Sequence, residues 1–261
     1  MELAEGVLAR RYAELDLTVG LVVGAEWALV VDTRGDRVQG AELAAAVRRV
    51  TALPVHVVYT HAHFDHCFGT CAFPSTTVYA HPGCAAAIAD TAEAQRAEWT
   101  EYYREHGDPR IATELAATPV VPPTDLVECT NLDLGGRTVT LSHPGKGHTD
   151  HDLAIHIPDA DLLFAGDLVE QGAPPDFTDA HPLHWPAAVA ALLALNPRVA
   201  VPGHGDPVDR AFLITQQAEL AEVAELCRAA LAGERTEAEV LARSPYPPAP
   251  TLTALARASG T

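Results

Sequence analysis

Residues 60–69 read THAHFDHCFG, which places His61, His63, Asp65 and His66 directly after the apolar run Val55–Tyr59. In an extended segment, side chains two residues apart point the same way, so His61 and His63 can grip one ion together. Asp65 and His66 are neighbours and diverge. In the turn after the strand they can serve a second ion nearby. Imidazole suits zinc, and a carboxylate beside it suits zinc, iron or manganese. Donors of the same types follow later apolar segments. GKGHTDHD offers His148, LLFAGDLV offers Asp167, and VAVPGHGDP offers His204. Glycines beside a ligand let the backbone bend close to an ion.

The elements that must position these donors are short strands alternating with helices. Val19–Val23 and Ala28–Val31 flank Gly24-Ala25-Glu26 and read as a hairpin, with Asp32 closing the second strand. Gly40–Val50 has helical spacing, and Val55–Tyr59 reads as a strand buried on both faces. Further strands are expected at Thr77–Ala80, Leu126–Cys129, Thr138–Leu141, Leu153–Ile157, Leu162–Ala165 and Arg198–Val201. Pro82 is suited to opening a helix, and Ala92–Gly107 reads as helical. Its stripe of Trp99, Tyr102, Tyr103 and His106 fits a core face, a lid or a homodimer face. Helices are also expected at Trp185–Leu195, Asp209–Leu231 and Thr236–Ala242, followed by a Pro-rich stretch along the surface. The organisation expected is a catalytic unit over residues 1–232 and a helical, Pro-rich tail over 233–261 packed on or near it.

Composition narrows the function classes. The chain has 261 residues and 48% hydrophobic content, enough for one large core. Its net charge is -18 and Lys146 is its only lysine, a surface that repels phosphate backbones and anionic lipids. Nucleic-acid and membrane partners are therefore disfavoured, and a small-molecule substrate is expected. No apolar run reaches the ~18 residues of a membrane span. The N-terminus lacks the pattern of a signal peptide, so a cytoplasmic location is the default expectation. The cysteines Cys67, Cys71, Cys84, Cys129 and Cys227 form no CxxC pair and are expected as free thiols. No GxSxG elbow supports a serine hydrolase.

Over about residues 15–232, the order and spacing of Asp32, the string His61-Ala62-His63-Phe64-Asp65-His66, His148, Asp167 and His204 resemble the metallo-β-lactamase-fold hydrolase superfamily. The resemblance implies an α/β fold, a four-layer αββα sandwich with a dinuclear site along one edge. It implies a first ion held by His61, His63 and His148, and a second held by Asp65, His66 and His204. Asp167 would bridge the two, and Asp32 would orient the ligand loop, as metal-binding histidines need. Two zinc ions are the expected cofactors, with iron or manganese as the alternative. They would share a hydroxide at neutral pH and stabilise the developing oxyanion. Asp65 would orient that hydroxide and shuttle the proton. His181 and His184, in DFTDAHPLHW, lie between the last two ligands and could face substrate.

The resemblance leaves the substrate open among thioesters, lactones, β-lactams and phosphodiesters. β-Lactamases that resemble this pattern lack a bridging aspartate, one group having cysteine as a second-ion ligand instead, so Asp167 argues against them. The acidic surface argues against nucleases. The glyoxalase II branch shares the ligands, but its basic C-terminal region is not matched by Arg235, Arg243 and Arg257. Lactonases of the fold share the ligands too. The expectation is hydrolysis of a small, weakly charged ester, thioester or lactone. One alternative is a persulfide-dioxygenase-like iron oxidoreductase using His61, His148 and Asp167. Another is a metal-binding scaffold without catalysis.

Overall fold

The computed structural model describes residues 1–74 and 76–260. Ser75, inside the expected catalytic unit, and Thr261, at the end of the expected tail, lie outside the described residues. One sheet runs in chain order: β1 (Glu2–Ala4), β2 (Val7–Arg11), β3 (Thr18–Val23), β4 (Ala28–Val31), β5 (Val55–Val58), β6 (Val78–Ala80) and β7 (Asp125–Leu126). Its first four strands are antiparallel and the rest pair in parallel. The second sheet has the order β13 (Val208–Asp209), β12 (Val199–His204), β11 (Leu162–Glu170), β10 (Ala154–Ile157), β9 (Thr138–Ser142), β8 (Cys129–Asp133). Only β11 and β12 pair in parallel there.

The two sheets pack face to face through branched and aromatic side chains. Val22, Val31 and Val58 meet Leu141, Ile155, Leu162 and Phe164 in one buried cluster. The approach is close enough that a Cβ on Gly20 would overlap the Phe164 ring. On the outer face of the first sheet lie α1 (Arg37–Val50), α3 (Pro82–Glu105) and α4 (Pro109–Ala116), joined by the short α2 (Phe64–Cys67) at the end of β5. On the outer face of the second lie α5 (Trp185–Ala194), α6 (Arg210–Leu231), α7 (Glu237–Arg243) and α8 (Pro248–Ser259). The result is the four-layer αββα sandwich of the metallo-β-lactamase fold. Helix starts follow local chemistry. Asp36 accepts the Val38 and Gln39 N–H groups of α1, and Thr236 with Glu239 forms a capping box on α7.

Several elements differ from the sequence reading. The expected strand Leu126–Cys129 is two strands in different sheets. Val127 N–H bonds Ala80 in the first sheet, and Glu128 C=O accepts from His143 in the second, so the chain changes layers there. The strand at Leu162 continues to Glu170, buried throughout, and Asp167 sits within it rather than after it. The helix containing Ala92–Glu105 starts at Pro82. β1, β2 and α4 had no counterpart in the reading. The Pro-rich stretch is not a surface strand of chain: α8 buries Thr251, Ala254 and Ala258, the two alanines within the α5–α6 cluster.

Candidate metal centre

The edge of the sandwich where β5, β11 and β12 end is pinned by contacts between the sheets. Leu153 N–H donates to Thr60 C=O, Thr18 Oγ1 donates to Gly205 C=O, and Leu17 bridges His204. There β5 runs out into His61 and His63, and α2 carries Asp65 and His66. The loop before β10 carries His148, β11 carries Asp167, and β12 ends on His204. Donor atoms of His61, His63, His148 and Asp167 lie within 4.8 Å of one another, as do those of Asp65, His66 and His204.

Asp167 sits between the two groups. Its Oδ2 is 3.7 Å from His61 Nε2, 3.6 Å from His148 Nε2 and 3.3 Å from His204 Nε2, and its Oδ1 is 3.3 Å from His66 Nε2. His63 Nδ1 faces His148 Nε2 at 3.1 Å, and His66 Nε2 faces His204 Nε2 at 3.4 Å. Donors around a tetrahedral zinc with ~2.05 Å bonds stand about 3.3 Å apart, so these spacings suit such an ion. Two orphaned atoms agree: His61 Nε2 and Asp167 Oδ1 are buried without a hydrogen-bond partner. The donor set fits a metal.

Around the donors, four of the five histidines have their other ring nitrogen held, while His148 Nδ1 is buried without a hydrogen-bond partner among the described residues. His66 Nδ1 bonds Asp32 Oδ2 at 2.8 Å, and Asp32 also accepts the N–H and hydroxyl of Thr60. His204 Nδ1 donates to Leu15 C=O at 2.7 Å, and His61 Nδ1 meets Thr60 Oγ1 at 3.0 Å. His63 Nε2 bonds Asp179 Oδ2 at 3.1 Å. Such anchors fix the tautomer and aim the other nitrogen inward. Thr60, Leu15 and Asp179 were missed by sequence reasoning. The signal for Asp179 was near, since the loop DFTDAH had been singled out for its histidines. Those histidines do not line the cleft. His181 N–H bonds Gly147 C=O, and His184 is exposed at the start of α5. The loop's cleft-facing residues are instead Asp176, Thr178 and Asp179.

Charge organises the site. Burial opposes ionisation of Asp167, but His66, His204 and His61 hold its carboxyl well below the usual range. Burial likewise opposes charge on His204, and Asp167 and Asp65 overcome it, raising His204 to about 10. His148 is lowered to about 4, chiefly by burial. Burial, with Asp167's charge behind it, raises Glu170 to about 8.

Above the donors opens a cleft of ≈ 520 Å³. One wall is a face of α3, with Thr91, Gln95, Glu98 and Trp99, and the other is the segment from Glu170 to Asp179. Gln95 ties α3 to the ligand turn, accepting Phe64 N–H and donating to Ala62 C=O. The aromatic stripe of α3 divides its tasks. Trp99 stacks on Phe64 at the cleft with ring centroids 4.6 Å apart, Tyr103 is buried and donates to Glu14, and Tyr102 is exposed beside His106.

The sequence model of the metallo-beta-lactamase superfamily matches residues 15–204, a span that holds every donor above. The chain belongs to this superfamily. It is a metal-dependent hydrolase of that family. It is 30% identical over 206 residues to a type 2 metallo-beta-lactamase of Bacillus cereus, covering 75% of this chain and 70% of that one. It is 29% identical over 164 residues to the acyl-coenzyme A thioesterase MBLAC2 of Gallus gallus, covering 59% of this chain and 58% of that protein. Among solved structures, a metallo-beta-lactamase from Pontibacter korlensis superposes with a TM-score of 0.62 at 22% identity, covering 82% of this chain and 93% of that one. A variant of the sec-alkyl sulfatase PisA1 superposes with a TM-score of 0.78 at 17% identity, over 99% of this chain and 49% of the other. At those identities the superpositions speak to the fold alone.

Proposed function

We propose that this superfamily member is a two-zinc hydrolase that cleaves a small ester, thioester or lactone. The observation that carries the reading is the position of Asp167, whose carboxylate stands within 3.7 Å of nitrogens from both donor groups. His61, His63 and His148 would hold one ion, Asp65, His66 and His204 the other, and Asp167 both. Two such ions would supply Lewis acidity at this site, enough to bring the pKa of a bound water to roughly 7 and to polarise an acyl oxygen.

The chain's own residues supply the rest. Asp65 lines the cleft with Oδ2 3.4 Å from His204 Nε2, where its carboxylate takes the proton of the attacking water and returns it to the leaving group. Asp32 and Asp179 hold His66 and His63 in the tautomers that the donor geometry needs. Trp99, backed by Phe64, gives the cleft an apolar wall that excludes bulk water from the acyl group. The cleft volume suits a small molecule.

Two of the relatives bear on the substrate. One is named a β-lactamase, yet Asp167 occupies the strand position where that reading expects no bridging carboxylate. The other is named a thioesterase, which supports the thioester among the three candidates. The test is a panel of one neutral ester, one thioester and one lactone, assayed with zinc-loaded and chelated protein. Hydrolysis that needs zinc, and that Asp65→Asn lowers by about 100-fold or more, is the expected result. Oxygen uptake with an iron-loaded protein and no zinc-dependent hydrolysis would replace this reading with sulfur oxidation.

A further inference from the structure

His63 depends on its anchor more than the other donors do. Its side chain is 24% exposed, the most open of the five donor histidines. Its Nε2 donates to Asp179 Oδ2 at 3.1 Å, which leaves Nδ1 to face His148 Nε2. The Asp179 side chain is itself 49% exposed, and no helix or strand lies between Glu170 and Trp185. Neither burial nor secondary structure therefore sets the place of that carboxylate. Its backbone is held from another part of the chain. Arg257, in α8, donates from Nη2 to Asp179 C=O at 2.9 Å and from Nε to Ala180 C=O at 3.2 Å, so one guanidinium fork takes two consecutive carbonyls. On either side of Asp179, Phe177 and Ala180 are buried in the cluster that includes Ala254 and Ala258 of the same helix. Arg257 lies well beyond residue 204, where the superfamily match ends.

We propose that Arg257 is a positioning residue of the metal centre: by gripping the backbone of Asp179 it sets the carboxylate that aims His63, so the tail beyond residue 232 takes part in holding the first ion. This rests on the two-ion reading above. The guanidinium is planar and its two N–H groups point the same way, so it fixes the orientation of the peptide as well as its distance. A single hydrogen bond would leave the loop free to pivot. Groups that support a metal ligand from behind are worth about 10- to 100-fold in metal affinity, and Arg257 stands one residue further out, so about 10-fold is expected. The first donor group has little to spare, because His148 Nδ1 has no partner among the described residues. The second group is supported elsewhere: Asp32 holds His66 and the Leu15 carbonyl holds His204. Loss of the Arg257 grip therefore reaches one ion position and spares the other.

The experiment uses the full chain as wild type, Arg257→Met, Arg257→Lys and Arg228→Met. Arg228 donates from α6 to Leu183 C=O at 2.8 Å in the same loop, so it controls for loop packing alone. Zinc is titrated against a chromophoric chelator, and imidazole N–H signals are followed by NMR, with His63→Asn as the assignment. Arg257→Met is expected to weaken one of the two zinc constants by about 10-fold and to leave the other within about 2-fold. Arg257→Lys, which keeps the stem and the charge without the fork, falls between wild type and Arg257→Met. In the metal-free protein the His63 Nε2–H signal, present in wild type, is lost in Arg257→Met. In an Asp179→Ala background Arg257→Met has no further effect on zinc, because the route to His63 is already cut. Unchanged zinc constants in Arg257→Met overturn the proposal, as does an equal loss in Arg228→Met or a full loss that persists without the Asp179 carboxylate. If zinc never moves the His63 signal while the metal-free Nε2–H signal still depends on Arg257, the two-ion reading falls and the positioning of His63 stands.

Discussion

Gly203 shows how far a single residue governs this site. A Cβ there would overlap Asp167 Oδ1, so the absent side chain on β12 is what lets the carboxylate of β11 reach both donor groups. Gly203→Ala is expected to keep the fold and lower both zinc content and kcat/KM by about 10- to 100-fold, the usual cost of disturbing a ligand's support. Metal analysis of the purified variant beside its far-UV spectrum checks this. His204 gives a pH dependence. Asp167 and Asp65 raise it to about 10, so at neutral pH its proton must leave before Nε2 can hold a cation. Zinc binding at pH 7 should therefore release protons, and affinity should fall as pH falls. Calorimetry in buffers of different ionisation enthalpy measures the release, and a buffer-independent heat would contradict it. The candidate donors stood out in the sequence because histidines and aspartates recur beside apolar runs or glycines: His61 to His66 after Val55–Tyr59, His148 in GKGHTDHD, Asp167 in LLFAGDLV and His204 in VAVPGHGDP. Their anchors did not. Leu15 acts through a carbonyl, which has no sequence signature, and Asp179 meets His63 across a loop whose path the sequence does not set.

At the scale of elements, the strand–helix alternation and most strand positions could be read from apolar runs, since side chains buried on both faces leave no other pattern. Partner choice could not. Residues 125–129 have one continuous strand-like composition, yet Val127 bonds one sheet and Glu128 the other. The C-terminal stretch misleads because prolines dominate its first half, while the alanines that make α8 follow. Ala254 is 0% exposed in the cluster with Leu220, Val223 and Cys227. From the same helix, Arg257 donates to the carbonyls of Asp179 and Ala180, and Tyr246, in the turn before that helix, lies 6.1 Å from Phe177 between ring centroids. α8 and the turn that leads into it thereby brace the loop that holds His63. Ala254→Asp would bury an unpaired carboxylate and is expected to cost about 3 kcal/mol or more. Urea unfolding measures it, and a loss below about 1 kcal/mol would mean that α8 is dispensable to the packing.

For the whole molecule, two sheets with opposite roles meet along one edge. The first supplies the β5 end and its ligand turn, the second supplies His148, Asp167 and His204, and the inter-sheet bonds at Thr18 and Leu153 fix their spacing. Among the described residues no helix is long and apolar enough to cross a membrane. The net charge of -18 is spread over a chain with 17 basic residues. Self-repulsion of that size weakens as salt shortens the Debye length to about 8 Å at 0.15 M, so Tm should rise with added NaCl. A Tm that falls over the same range would show that ion pairs such as Arg10–Glu42 outweigh the repulsion. The most direct test of the account is the zinc content of the purified chain after loading and removal of excess metal, measured with Asp167→Ala alongside. The account predicts close to two zincs per wild-type chain and a loss from both positions in the variant, because Asp167 serves both groups. A single tightly held ion in the wild type, unchanged by Asp167→Ala, would contradict it.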